Sequence, residues 1–479
     1  MDKYHIKFKE DSPKYIQIVN HLKRLILNKR IADGEKLPAI RALAKHLEVN
    51  NVTIVNAYKR LEIEGFAVQK IGSGTFARGR EENIELLREY SNIYRKINSG
   101  SLKKYIDFTG ETTCAEFFPV KTFKKVLNEV LDRYGSEVFT YQDILGYNGL
   151  RNSIKERFWK NKISSDNILI VSGAQQGIDI ASKAIININD NILVEKPTYS
   201  GALNVFKSRR ANIFEVDIKE DGIDIHSLKK ILKKNKIKCF YLMSYFQNPT
   251  GNTYSKEDKM EILNLAEEYD FYIIEDDYLS ELIYDDNIKY NSFKSLDIYD
   301  RVIYIKSFSK IFLPGIRMGY LIPPKIFSDR VQSCKVNTDI TTSSLMQRAL
   351  DLYIKEGYWK THMEFLNNSY KQRYYYMKKC IEDKLKDKVT FKSPGGGLNF
   401  YLKINEDIPI NAVELFNKCK YNKVIITPGE IFYNNIHSGE KYFRLGFSST
   451  DIDEIEKGID IINKVLSQKG EIKLWERDL

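Results

Sequence analysis

Five short apolar runs recur through the middle of this chain: NILIVSG, NILVEKP, KCFYLMS, YIIEDD and VIYIKSFS. Each ends on polar or glycine-rich residues, and helical stretches separate them. This alternation constrains the fold more than any other feature. Short β runs spaced by helices require crossover connections. They predict an α/β architecture with a mainly parallel sheet and sites gathered at the strands' C-terminal ends. The pattern begins near residue 105, and the first eighty residues read differently. The 479 residues are too many for one ordinary core, so two or three modules are expected. We divide them as 1–79, a densely charged linker at 80–104 broken by Asn98-Ser99-Gly100-Ser101, and a body at 105–479. A linker helix packed on the body is the alternative.

Several classes are excluded. No apolar run approaches the ~18–20 residues of a membrane span. The opening MDKYHIKFKEDSPKY lacks the apolar segment of a signal peptide. The cysteines Cys114, Cys239, Cys334, Cys380 and Cys419 are scattered, with no CxxC or Cys/His cluster. No metal site and no disulfide framework is expected, and a cytoplasmic location fits.

In the first module, Tyr15–Leu27 has Ile18, Leu22, Leu25 and Ile26 at helical spacing. Pro38 can open a second helix, AIRALAKHL. A third, Val52–Leu61, is read with Val52, Val55 and Leu61 inward and Asn51, Thr53, Asn56 and Lys59 outward. FAVQKIGSGTFARG alternates about a Gly-Ser-Gly tip, the signature of a β-hairpin. Helix, helix, turn, helix, hairpin is the order of a winged helix-turn-helix, although protein-interaction modules also combine such parts. In the DNA-binding form the recognition helix presents its N-terminal residues to the major groove. Asn51 and Asn56 suit adenine and the Thr53 methyl suits thymine. Arg41, Lys45, Lys59, Arg60, Lys70 and Arg78, with Ser73 at the hairpin tip, would meet the backbone. Charge fits this reading: 16 Lys+Arg against 8 Asp+Glu put +8 of the net +11 in the first 80 residues. A solvated basic surface would give the same balance.

In the body, VSGAQQG follows a strand and opens a helix, where backbone N–H groups can cradle an anion. KSFSK sets Ser307 and Ser309 beside Lys310, hydroxyls for a phosphate next to an amine nucleophile, with Arg317 seven residues on. IIEDDY brings Glu275, Asp276 and Asp277 to a strand end, QNPTG brings Asn248, and KPTYSG brings Tyr199. FRLGFS holds one Arg444 in an apolar strand, where it needs an anionic partner. Each motif alone has a plain structural explanation: a tight turn, a surface lysine, a helix cap, a core tyrosine.

Taken together the motifs carry two resemblances. LPAIRALAKHLEVNNVTIVNAYKRLEIEGFAVQKIGSGTFARG resembles the DNA-binding domain of the GntR regulators over residues 10–79. It departs at LPAIR and NNVTI, which leaves the operator open. The later motifs resemble the fold type I, class I aminotransferases over about residues 105–465. That resemblance implies a large subdomain with a mainly parallel sheet and a smaller C-terminal α+β subdomain. It implies pyridoxal 5′-phosphate (PLP) as an aldimine on Lys310, with Asp276 on the pyridine nitrogen. Asn248 and Tyr278 would face the ring's phenolic oxygen and Tyr199 would stack on the ring. Ala174, Gln175, Ser307, Ser309 and Arg317 would hold the phosphate, and Arg444 a substrate or effector carboxylate. Tyr141 would reach a neighbouring subunit's phosphate in a homodimer. The fusion resembles the MocR-type regulators, which implies a transcription regulator sensing PLP, an amino acid or an amine. Some such relatives carry an Arg where this chain has Gly201. An aminotransferase with an accessory DNA-binding module, and a DNA-binding dimer whose body supplies only an interface, are the other readings. Whether any transamination turns over stays open.

Overall fold

The structure is a computed structural model that describes residues 2–8, 12–27, 30–32, 34–70, 73–77, 90–93, 95–97, 104–219 and 222–467. The chain forms two compact units. One is Met1–Tyr105 with Asn411–Val413 and Pro428–Lys441; the other is Ile106–Ile410, Glu414–Thr427 and Tyr442–Leu479.

In the first unit, helices Lys14–Leu27, Ile40–His46 and Asn51–Ile63 precede a hairpin of Ala67–Lys70 and Gly74–Ala77. The hairpin sets Val68 opposite Phe76 and Gln69 opposite Thr75. Ile18, Leu22, Leu25 and Ile26 of the first helix share one buried cluster with Leu43, Leu47, Leu61, Phe66 and Ala77. The second helix begins at Ile40 rather than Pro38.

The third helix corrects the sequence reading. Its inward face is Ile54, Ala57, Tyr58 and Leu61, while Val52 is 61% exposed and Val55 only half-buried. Those four positions follow the i, i+3, i+4, i+7 stripe of a helix packed on a core. With apolar residues on more than one face, periodicity permits two stripes. Packing selects the one that brings the Tyr58 hydroxyl to donate to Pro38 O at 2.7 Å. Asn50 caps the helix, its side chain accepting from Val52 N at 2.9 Å. Arg78, the side chain of Lys70, the tip residue Gly72 and most of the linker at 80–104 lie outside the described residues; 90–93 and 95–97 are helical.

The second unit is built on an eight-stranded sheet in the order Leu169–Val171, Gly319–Ile322, Val302–Ser307, Tyr272–Asp277, Cys239–Leu242, Asn191–Lys196, Asn212–Lys219, Gly222–Ile223. The five strands from Val302–Ser307 to Asn212–Lys219 run parallel. Gly319–Ile322 is antiparallel to both of its neighbours. All five apolar runs are strands of this sheet. Val302–Ser307 and Cys239–Leu242 are buried along their whole length, as strands covered on both faces must be. A smaller antiparallel sheet of Val389–Phe391, Asn399–Ile404 and Tyr442–Gly446 sets Arg444 opposite Tyr401. Helices Tyr358–Lys384 and Ile452–Ser467 pack on each other beside it. Among the described residues, no helix is long and apolar enough to cross a membrane.

Candidate functional site

Register brings the motifs to one sheet edge. Ser307, Gly319 and Val171 are successive cross-strand neighbours, and Asp276 lies opposite Ile305. The residues that follow Leu169–Val171, Tyr272–Asp277 and Val302–Ser307, and those that precede the antiparallel Gly319–Ile322, therefore emerge together. Gly173, at φ +88°, turns the chain into helix Ala174–Ile185. A Cβ there would stand 2.9 Å from Arg317 Nη2, so only glycine lets the guanidinium approach the helix's first N–H groups. Arg317 Nη2 also donates to Ser172 O at 3.1 Å. Gln175 Nε2 donates to Gly201 O at 3.1 Å, and its Oε1 accepts from the Tyr199 hydroxyl at 3.2 Å. A Cβ at Gly201 would meet the Tyr199 ring at 2.5 Å, so any side chain there requires the ring to move. Ser309 N donates to Ser307 Oγ at 3.3 Å.

Lys310 lies past this edge, and a residue the sequence reading did not single out joins it to Arg444. Glu111 Oε2 accepts from Lys310 Nζ at 3.0 Å. Its Oε1 accepts from Arg444 Nη1, and from Asn248 Nδ2 at 3.2 Å. Asn248 Oδ1 in turn accepts from Arg444 Nη1 at 2.7 Å. Burial raises the Glu111 carboxyl, but the Arg444 guanidinium and the Lys310 ammonium outweigh it and hold the group well below the usual carboxylate range. In the sequence Glu111 stands in a Thr-rich stretch, TGETTC, where an acid reads as surface. It meets Arg444 across 333 residues.

Asp276 and Tyr278 flank this group. Asp276 Oδ2 accepts from the Tyr241 hydroxyl at 2.8 Å. Burial, reinforced by Asp277, pushes its carboxyl up to about 6, against the pull of the Tyr241 hydrogen bond and Lys310. The Tyr278 hydroxyl donates to Phe246 O at 2.8 Å, so its proton is committed to the backbone.

Among the described residues, the buried oxygens without a hydrogen-bond partner include Asp276 Oδ1, Ser309 Oγ and Thr198 Oγ1. Buried polar atoms are rarely left so. A bare carboxylate oxygen suits a protonated ring nitrogen. An idle hydroxyl on Ser309, in the turn that carries Lys310, suits a phosphate. The residues present fit PLP.

On the first unit, Arg41, Asn51, Asn56, Lys59 and Ser73 are exposed and Thr53 is half-buried. Val52, Asn56 and Lys59 share one face of the recognition helix, at i, i+4 and i+7. Arg60 is engaged within the unit, its Nε 2.6 Å from Glu64 Oε1, and Lys23 also reaches Glu64. Tyr141 of the second unit is 82% exposed.

Comparison with known proteins identifies the family of each part. Residues 113–462 match the family described as aminotransferase class I and II. The chain belongs to that family. Residues 14–77 match the bacterial regulatory proteins of the gntR family, so this aminotransferase-family chain has the MocR-type architecture. It is 27% identical over 460 residues to the uncharacterized HTH-type transcriptional regulator YcxD of Bacillus subtilis, covering 94% of this chain and 99% of that one. It is 28% identical to the HTH-type transcriptional regulator NorG of Staphylococcus aureus, covering 88% and 98%. Among solved structures, the Pyrococcus horikoshii kynurenine aminotransferase, in complex with PMP, matches with a TM-score of 0.73 at 28% identity, over 78% of this chain and 94% of that one. The cofactor of the second unit is PLP.

Proposed function

We propose that this chain is a PLP-dependent DNA-binding transcription regulator that works in the cytoplasm as a homodimer. The first unit binds an operator. The second holds PLP at Lys310 and responds to the cofactor or to an amino compound. One observation carries the reading: an exposed Asn/Lys face on a recognition helix coexists, in one chain, with a lysine–carboxylate pair set among motif residues, Asp276 and Ser309, whose buried oxygens lack partners. Relatives of the same two-part architecture, matched over nearly their full length, are named as regulators.

The residues divide the work. Asn51, Thr53 and Asn56 read base edges, and Val52 adds an apolar contact suited to a thymine methyl. Arg41, Lys59, Lys70 and Ser73 meet phosphates. Arg60 steadies the helix end through Glu64 and reaches phosphate only by sharing that carboxylate. When bound, PLP supplies an imine-forming aldehyde and an electron-withdrawing ring. Asp276 Oδ1 would hold the proton of the ring nitrogen, Tyr199 would stack on the ring, and Asn248 would offer an amide hydrogen to the phenolic oxygen. Tyr278, with its proton given to Phe246 O, acts there by position rather than as a donor. Ala174, Gln175, Ser307, Ser309 and Arg317 form the phosphate cradle, and Arg444 carries the carboxylate-binding charge. The ligand acts by shifting the balance between two arrangements of the dimer. It does so only by its differential affinity for them, about 1–3 kcal/mol of coupling.

The test is fluorescence anisotropy of the purified chain on its own upstream intergenic DNA against scrambled DNA, at fixed salt, with and without PLP. Tight, selective binding that changes with PLP is expected. No selectivity for that or any other operator, together with steady transaminase turnover, would replace the regulator with an enzyme.

A further inference from the structure

Arg444 is 1% exposed, and its terminal nitrogens are committed inside the chain. Nη1 donates to Glu111 Oε1 and Asn248 Oδ1, and Nη2 donates to Thr109 O at 3.2 Å and Thr427 Oγ1 at 3.3 Å. The anion that a buried guanidinium requires is thus supplied by Glu111. Glu111 is held there by its backbone. Upstream, Gly446 N donates to Phe108 O at 2.7 Å; downstream, Thr113 N donates to Lys310 O at 2.9 Å. Between them, a Cβ at Gly110 would stand 2.5 Å from Ser448 Oγ, so any side chain there requires the serines packed on this stretch to move.

The second oxygen of Glu111 takes Lys310 Nζ. One carboxylate therefore spans the amine and the guanidinium. An α-amino acid exchanging for Lys310 would need to put its own carboxylate in that position. Two carboxylates would then compete for one guanidinium in a buried site, which like-charge repulsion opposes. An amine without a carboxylate meets no such conflict, and its cation is attracted to Glu111.

We propose that Glu111 is a tethered carboxylate that fills the Arg444 seat, so that the site accepts primary amines lacking an α-carboxylate and excludes α-amino acids. This rests on the reading of Lys310 as the effector site, and it replaces an effector's carboxylate at Arg444 with that of Glu111.

The test uses ethylamine and L-alanine, which differ by the carboxylate alone, and the full chain as wild type, Glu111→Ala and Glu111→Gln. Calorimetry on the PLP-loaded proteins should show wild type preferring ethylamine. Glu111→Ala should gain L-alanine affinity by roughly ten- to a hundredfold, the worth of a charge-assisted hydrogen bond. In the cofactor-free proteins, acetate should raise the unfolding temperature of Glu111→Ala by filling the emptied seat and leave wild type unchanged. Glu111→Gln keeps the shape without the charge and should fall between, which guards against a misfolded alanine variant. If wild type binds L-alanine at least as tightly as ethylamine, or if acetate fails to stabilise a folded Glu111→Ala chain, the proposal is wrong. The DNA measurement separates the two readings. An amine preference that switches with residue 111 in a chain that binds no operator upholds the seat and removes the regulator. PLP-responsive DNA binding with no such switch does the reverse.

Discussion

Asp276 and Asp277 are neighbours on one strand, both buried, and they have opposite fates. Side chains alternate across a strand, so the two carboxylates face opposite sides of the sheet. Asp277 is saturated. It accepts from Lys306 Nζ at 2.9 Å, Ser280 Oγ at 2.9 Å, Tyr290 at 2.8 Å and Tyr304 at 2.7 Å. Burial raises it, but Lys306 and these donors bring it below the ordinary value. Asp276 has one donor, a bare second oxygen and a carboxyl pushed up to about 6. Lys306 of the next strand and Lys310, just past its end, repeat the contrast. Lys306 is buried between Asp277 and Glu281, whereas Lys310 stands in the half-buried group with Glu111. A saturated buried charge is part of the scaffold. An unsaturated one destabilises the chain unless a ligand completes it, and together with its place at the motif end of the sheet this is the ground on which Asp276 is proposed to meet the cofactor.

The largest expected effect breaks the saturated side. Lys306→Met leaves Asp277 and Glu281 as uncompensated buried charges and should cost ~3–5 kcal/mol in chemical denaturation. A loss under about 1 kcal/mol would mean that the cluster contributes little.

Next comes Asp276→Asn in the cofactor-free protein, with the opposite sign. The folded-state value is raised above the ordinary 3.8, so between 3.8 and about 6 the folded chain keeps a proton that the unfolded chain releases. Stability from this group is therefore present at low pH, falls as pH rises through that window and stays low above it. Asparagine has no proton to release. The variant should gain up to ~3 kcal/mol over wild type at pH 7, shrinking to nothing by pH 4, while losing PLP affinity. A gain independent of pH would contradict the assignment of Asp276.

The smallest effects carry the contrast into the first unit. Asn50 and Asn56 are both exposed, but Asn50 Oδ1 is engaged as the helix cap, accepting from Val52 N at 2.9 Å. Asn56→Ala should cost ~1–3 kcal/mol of discrimination between operator and single-base variants with stability unchanged. Asn50→Ala should cost ~1 kcal/mol of stability with base preference unchanged. Competition anisotropy and thermal unfolding read the two, and a swap of these outcomes would show that the helix face is misassigned.

The same contrast explains what was legible. The five β runs and their polar ends could be read from periodicity, because a strand's burial pattern is local. The face of the recognition helix could not: Val52 and Ile54 are both β-branched and apolar, and only packing chose Ile54. Strand Gly319–Ile322, inserted antiparallel between Leu169–Val171 and Val302–Ser307, has no local signal that distinguishes it from another crossover. The Tyr278 hydroxyl goes to Phe246 O because a backbone carbonyl happens to face it.

By itself, then, the sequence determined the two modules, the basic first unit, the parallel sheet and the motifs at its edge, all properties of residues close together in the chain. Tertiary structure alone decided which polar groups are satisfied and which wait. It sends Asp277 to Lys306 and leaves Asp276 Oδ1 bare, and it carries Glu111 to Arg444 from 333 residues away. The physical reason is that satisfaction of a buried charge depends on partners brought in by folding, and no periodicity encodes them.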